Sequence, residues 1–256
     1  MRIATNDATT VVASRWITAK AGVGVHAGIV KFTQGATISN LSSTIAVFSV
    51  DAQGKLTGLA SLPAGQTNPR VEIDNYVGPY VYSADARHAY SLNPGFRNGS
   101  ATWGVAGTIR GESVGAGGVL TPMAPLTLRE TPPGNVRSAA ALSLIADPTS
   151  RYLFVNAWSD YWHQLFRDPV SGVLTYAQNS PLATPNPPPA GSSPAPVGFP
   201  VFTPSGRFVF LTDRLAVHRY EIQGFGSAAT LVDSVTPKPL PPNVLPVRPG
   251  ATYVVP

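Results

Sequence analysis

Ala146-Asp-Pro-Thr-Ser-Arg-Tyr-Leu-Phe-Val155 reads as a tight polar turn running into a short apolar strand. Nearly the same phrase returns as Phe202-Thr-Pro-Ser-Gly-Arg-Phe-Val-Phe-Leu211. A looser copy is read at Ile73-Asp-Asn-Tyr-Val-Gly-Pro-Tyr-Val-Tyr82, and a clipped one at Val247-Arg-Pro-Gly-Ala-Thr-Tyr-Val-Val255. Self-similarity at a fixed interval is the signature of a repeat architecture, so these phrases set the frame for the rest.

A second phrase fixes the register. Ile45-Ala-Val-Phe-Ser-Val-Asp-Ala-Gln-Gly-Lys-Leu-Thr57 has its counterpart in Gln164-Leu-Phe-Arg-Asp-Pro-Val-Ser-Gly-Val-Leu-Thr175. Gly54 and Gly172 supply the positive φ of a hairpin turn. Gly118 and Gly226 belong to the same set, and Gly118, Gly172 and Gly226 fall at equal intervals of 54 residues. Phe48, Phe166 and Tyr220, with Leu56, Leu120 and Leu174, are the residues expected to fill the layer between units. One unit then comprises four strands, and four-stranded sheets at such a period are β-propeller blades. The expected blades cover residues 9–62, 66–130, 136–181 and 196–236, with a partial one at 243–256, in a single domain spanning 1–256.

Composition agrees with an all-β chain. Of 256 residues 43% are hydrophobic and 12% charged, with 24 Gly and 26 Pro. That is enough apolar material for one large core, and so many turn formers leave little room for helices. The net charge is +5, but the 18 Lys and Arg are scattered. No basic stripe points to nucleic acid. Without cysteine there are no disulfides, thiolate zinc sites or cysteine nucleophiles. No apolar run reaches the roughly 18–20 residues of a membrane span. Met1-Arg-Ile-Ala-Thr-Asn-Asp7 lacks an apolar signal core, so the chain is expected to be soluble, either cytoplasmic or exported with a signal removed.

Residues 45–57, 115–123, 147–156, 165–175 and 202–211 resemble the lactonase-like propellers of the 6-phosphogluconolactonase/YVTN-repeat type. The resemblance implies a ring of seven blades, of which about four and a half are visible. It also implies, if the chain is an enzyme, hydrolysis of a lactone ring without metal or cofactor.

In a propeller the regular turns lie at one end of each blade, and the connections between strands 2 and 3 lie at the other. Function is expected in the second group, which the scaffold holds but does not constrain. Arg70 and Arg137 each precede an expected strand 1 and would face the channel mouth, where a guanidinium suits a carboxylate or phosphate. In the resembling family this position often reads Pro-Arg-His; here Val71 and Ser138 follow the arginines. His88 or His163 would activate water as general base. The stretch Asn156-Ala-Trp-Ser-Asp-Tyr-Trp-His163 is read as one loop, with Asn156, Trp158, Asp160 and Trp162 as ligand contacts, joined by Asp213 and Arg214. An insertion of about 20 residues after Tyr82 is read as a lid carrying Arg87, His88, Tyr90, Phe96, Arg97 and Trp103. His218 is read as structural. No nucleophile elbow or phosphate loop is present. Two readings stay open: a small polar or anionic ligand, bound and hydrolysed, or a non-catalytic platform for a protein or glycan.

Overall fold

The structure is a computed structural model and describes residues 4–6, 10–20, 24–33, 42–50, 53, 55–58, 70–73, 80–93, 96–98, 102–115, 119–130, 141–157, 161–186, 200–213, 215–233 and 238–239. Apart from one 3-10 turn at Gly226–Ala228, every regular element among them is a strand, and the pairings with a defined register are antiparallel. The fold class is all-β, built of propeller-type blades, as the repeat requires. No sheet among the described residues closes on itself. The chain forms two compact units, Met1–Asn93 with Asn98–Ser100 and Thr108–Leu126, and Pro94–Arg97 with Ala101–Gly107 and Thr127–Pro256.

In the first unit, β1 (Ala4–Asn6), β2 (Thr10–Lys20), β3 (Gly24–Thr33), β4 (Ser42–Val50), β5 (Leu56–Gly58) and β6 (Arg70–Ile73) make one sheet. The next blade uses β7 (Tyr80–Tyr82) and β8 (His88–Asn93). A separate two-stranded sheet of β9 (Phe96–Asn98) and β10 (Thr102–Val105) interrupts it. The blade resumes with β11 (Thr108–Val114), β12 (Leu120–Pro122) and β13 (Leu126–Thr127).

The second unit stacks two blades. One runs β14 (Ala141–Ala146), β15 (Tyr152–Ala157), β16 (Tyr161–Arg167), β17 (Leu174–Tyr176) and β18 (Leu182–Ala183). The other runs β19 (Val201–Phe202), β20 (Phe208–Thr212), β21 (Ala216–Gln223), β22 (Thr230–Asp233) and β23 (Lys238–Pro239). Tyr152, Phe154 and Trp162 of the third blade meet Val209, Leu211, Tyr220, Ala229 and Leu231 of the fourth in a common core. Phe166 packs against it, as expected, and meets Phe225 edge-on at 6.2 Å.

The outer strand of every blade is split. β5 and β6 both pair with β4, β12 and β13 with β11, β17 and β18 with β16, and β22 and β23 with β21. Short, interrupted edges offer little template for pairing with another chain.

The opening phrase is confirmed as a structural device. In the third blade the N–H of Asp147 donates to Tyr152 O at 3.0 Å, and Ser150 N–H donates to Asp147 O at 2.8 Å. Asp147 Oδ2 in turn accepts the Tyr152 N–H at 2.6 Å. In the fourth blade Thr203 takes the same part with Gly206 and Phe208, its Oγ1 accepting the Phe208 N–H at 3.2 Å. The fourth turn residue is left-handed in both, Ser150 at φ 54° and Gly206 at φ 69°.

The second blade carries the same turn, at a place the sequence reading missed. It is Ser83-Ala-Asp-Ala-Arg-His88, with Ser83 Oγ accepting the His88 N–H at 3.0 Å and Ala86 at φ 59°. The expected copy at residues 73–82 is corrected. Ile73 ends β6, which pairs with β4, whereas Tyr80 opens β7, which pairs with β8. Ala86 in place of Ser or Gly hid the true turn, and Asp74 offered a false one. The second blade therefore opens at Tyr80, and Arg70 lies in the outer strand of the first sheet, opposite Ile45. The fourth copy, at 247–255, and Gly54 and Gly118 lie outside the described residues. Gly172 at φ 74° and Gly226 at φ 64° have the conformation expected of turn glycines.

The turns of adjacent blades interlock at Gly206. A Cβ there would lie 2.9 Å from Asp147 Oδ1 and 3.1 Å from Thr149 Cγ2. Gly206→Ala therefore combines left-handed backbone strain of roughly 1–2 kcal/mol with a steric conflict. We expect a loss of about 2 kcal/mol in equilibrium denaturation; an unchanged midpoint would contradict the interlock.

Candidate functional site

In the second unit, the end opposite the repeated turns carries the connections between strands 2 and 3. Here the fourth blade turns from β20 to β21 around Asp213. Its Oδ1 accepts the N–H groups of Leu215 and Ala216, each at 2.8 Å. A short polar side chain that captures backbone N–H groups two and three residues on is what tightens such a turn. Its Oδ2 receives Asn186 Nδ2 and His218 Nε2, both at 2.8 Å.

Asn186 follows β18 on the way to the fourth blade, and His218 lies on β21. One carboxylate thus joins the turn, the strand and the incoming connection. Asp213 is 4% exposed and His218 fully buried. Burial would raise the Asp213 carboxyl. The N–H groups of Leu215 and Ala216, the Asn186 amide and His218 outweigh it and hold the group below its ordinary range. The carboxylate is therefore ionised near neutrality, and the proton of the pair sits on His218 Nε2. His218 Nδ1 is buried with no hydrogen-bond partner among the described residues.

Other polar groups are enclosed in the same two blades. Asn156, fully buried on β15, accepts a hydrogen bond from Ser143 Oγ. His163, fully buried on β16, has Nδ1 3.4 Å from the Tyr176 hydroxyl. That hydroxyl accepts the Arg129 N–H at 2.7 Å, and the Arg129 guanidinium lies 4.1 Å above the Tyr176 ring. Burial pushes the Tyr176 phenol up to about 12. Burial, with the charges of Asp233 and Asp213, does the same to Tyr220. No group of three His, Cys, Asp or Glu among the described residues could hold a metal ion. No helix among them is long and apolar enough to cross a membrane.

The residues expected at the site are distributed as follows. Asp213 stands where expected, on the connection between strands 2 and 3. Asn156, Trp162 and His163 do not lie in one loop: the first ends a buried strand and the others open the next, leaving 158–160 as the connection. Trp162 is built into the core between the blades rather than displayed. His88 opens β8 at the turn end of its sheet and is 3% exposed, and Tyr90 is equally enclosed, so neither belongs to a lid. The insertion in the second blade contracts to 94–107 and carries the β9–β10 hairpin. Arg70 occupies the outer strand described above. Arg137, Trp158, Asp160 and Arg214 lie outside the described residues.

Asn186 and His218 were not anticipated. Asn186 sits in a Pro-rich stretch without periodicity. His218 sits at an alternating strand position that reads as core, and its one sequence clue is the aspartate five residues upstream across a turn.

No family model matches the chain, and no curated protein matches it in sequence. Among solved structures it is similar to PpgL, a periplasmic gluconolactonase of Pseudomonas aeruginosa, with TM-score 0.53 and 17% identity over 86% of this chain and 56% of that one. KlAtg21, solved with the coiled coil of AgAtg16, gives TM-score 0.50 and 12% identity over 88% of this chain and 58% of that one. A Bacteroides fragilis protein provisionally named as a 6-phosphogluconolactonase gives TM-score 0.43 and 13% identity over 90% and 84%. The chain spans a little over half the length of the first two. Likeness at these identities concerns the fold alone: the chain shares its blade architecture with PpgL and with KlAtg21.

The low Asp213 carboxyl fixes the sign of an acid effect. A group depressed on folding contributes stability above its unfolded value, near 3.9, and loses it as pH falls through the folded value. Wild type should therefore lose thermal stability more steeply than Asp213→Asn below about pH 4. Parallel melting curves for the two proteins between pH 7 and 2 would contradict this.

Proposed function

We propose that this protein is a lactonase-like propeller that binds a small polar ligand, and hydrolyses a lactone, at the end of its blades carrying the connections between strands 2 and 3. The supporting observation is the Asp213–Asn186–His218 constellation. It places an ionised carboxylate, an amide and an oriented imidazole at one end of two packed blades. The likeness to PpgL is a likeness of fold and is compatible with this reading. Arg137 remains the arginine proposed to hold a carboxylate or polarise the ester carbonyl. Arg70, on the outer strand of the first sheet, is the weaker of the two expected arginines. His88 and His163 are enclosed, which weakens the expectation that either activates water.

The platform reading is favoured by a different surface. Val170, Val173 and Phe225 are 81%, 51% and 66% exposed on the turns between strands 3 and 4 of two adjacent blades. KlAtg21, a similar structure, was solved bound to a coiled coil. Exposed apolar side chains suit a macromolecular contact better than a small polar ligand.

A panel of aldonolactones, with ring opening followed by acid release, separates the two. We expect turnover by wild type and a drop of at least tenfold in kcat/KM for Arg137→Ala. Absence of turnover across the panel would sink the hydrolase and leave the platform.

A further inference from the structure

The turn between strands 3 and 4 of the fourth blade holds one aromatic side chain out from the surface. Phe225 is 66% exposed and stands between Gly224 at φ 86° and Gly226 at φ 64°. Both glycines are in the left-handed region that other residues seldom adopt. A Cβ on Gly224 would also lie 3.3 Å from Ala228 O and from Ala229 Cα. Phe225 itself is extended, at φ −141° and ψ 150°, and its ring meets Phe166 of the third blade edge-on at 6.2 Å.

Phe166 carries the apolar surface into the neighbouring turn. It lies opposite Thr175 on β17, and the Asp168 N–H donates to Val173 O at 3.0 Å. Val173 therefore sits diagonally from Phe166 on the same face of the sheet, within side-chain reach. Val173 is 51% exposed, and Val170 at the tip of the same turn is 81% exposed. Asp168 Oδ1 fixes that turn, accepting the N–H groups of Val170 at 3.0 Å and Ser171 at 2.7 Å and the Ser171 hydroxyl at 2.8 Å. Both turns are thus shaped before any partner arrives, which lowers the entropic cost of a contact.

Charge decides what such a surface meets. The charged side chains of these blades' turns at this end, with Glu221 beside them, are Asp147, Arg151, Arg167, Asp168, Arg207 and Glu221, three cations against three carboxylates. Each is engaged within its own blade. Asp147 holds the Tyr152 N–H, Arg151 Nε donates to Thr149 Oγ1, and Arg167 Nε donates to Ser150 O. Arg207 and Gln223 both donate to Glu221. The net charge of +5 is carried elsewhere in the chain. This end therefore gives an acidic or basic partner little to recognise, while two copies of it meet without net repulsion. The split outer strands offer no long edge for pairing, which leaves side-chain contact as the mode of association.

We propose that this surface joins two copies of the chain about a two-fold axis, Phe225 of each copy packing against the apolar surface of the other. In such a contact the same patch serves on both subunits, so a neutral, apolar patch is its own complement. A surface of a few side chains suits a reversible dimer. The inference rests on the platform reading, whose occupant it names, and is independent of lactone hydrolysis.

Sedimentation of the full chain reads the association directly. Wild type should pass from monomer to dimer with a Kd in the micromolar range, and a monomer persisting to about 300 µM contradicts the proposal. Phe225→Ser and Val170→Ser should each raise Kd about tenfold or more at an unchanged melting temperature. Should Phe225→Ser lower the melting temperature through Phe166, Val170→Ser carries the test alone. Leu215→Ser removes an apolar side chain, 51% exposed, at the opposite end of the blades and should leave Kd unchanged. An equal loss in all three variants, or no change in Val170→Ser, places the contact elsewhere and overturns the surface. Because no charge takes part, Kd should hold between about 50 and 500 mM salt, and a steep rise with salt overturns the neutral contact. A monomeric wild type removes only the second copy as occupant, since turnover on the lactone panel decides between the platform and lactonase readings.

Discussion

The structure depends on how the second, third and fourth blades each capture one backbone N–H, that of the residue opening the second strand. Ser83, Asp147 and Thr203 do this with a side-chain oxygen, for His88, Tyr152 and Phe208. Each bond is worth on the order of 1 kcal/mol, more where the acceptor is the Asp147 carboxylate. The geometry demands more than a bond. It forces the fourth turn residue into the left-handed region and aims the carbonyl of the following arginine at the third strand. Arg87, Arg151 and Arg207 accept the N–H groups of Val114, Arg167 and Ile222 in this way. One side-chain oxygen thereby sets the register of three strands.

Fixing the turns at one end leaves the other end free to vary. The connection between strands 2 and 3 is residues 158–160 in the third blade, residues 213–215 in the fourth, and a stretch with its own hairpin in the second. The fourth blade reuses the same device there. Asp213 captures two backbone N–H groups with one oxygen and keeps the other for Asn186 and His218. A turn-forming carboxylate so becomes the centre of the candidate site. Its ionisation follows from the donors the turn itself provides.

The blade repeat was legible because its turn chemistry is local. Asp147-Pro-Thr-Ser and Thr203-Pro-Ser-Gly announce themselves, and Gly172 marks the next turn. The second blade was misread for an equally local reason. Ser83 is a weak turn signal, Ala86 takes a conformation usually given to Gly or Asn, and Asp74 lies nearby in a convincing phrase. The site was less legible, since its members meet only through packing. Asp213 could be placed on a connection from the turn pattern. His218 could not be linked to it, because alternation assigns it to the core without naming its partner. Trp162 and His163 read as an aromatic loop, yet pairing with Asn156 and Val155 draws both into a strand.

Amide hydrogen exchange resolved to single residues tests the capped turn most directly. The account predicts that the amides of His88, Tyr152 and Phe208 exchange slowly, like the strand interiors. Replacing Ser83 with alanine should release His88 while leaving Tyr152 and Phe208 protected. Exchange of the His88 amide in wild type at the rate of an open loop would contradict the account, since Ser83 would then not set the register of the second blade.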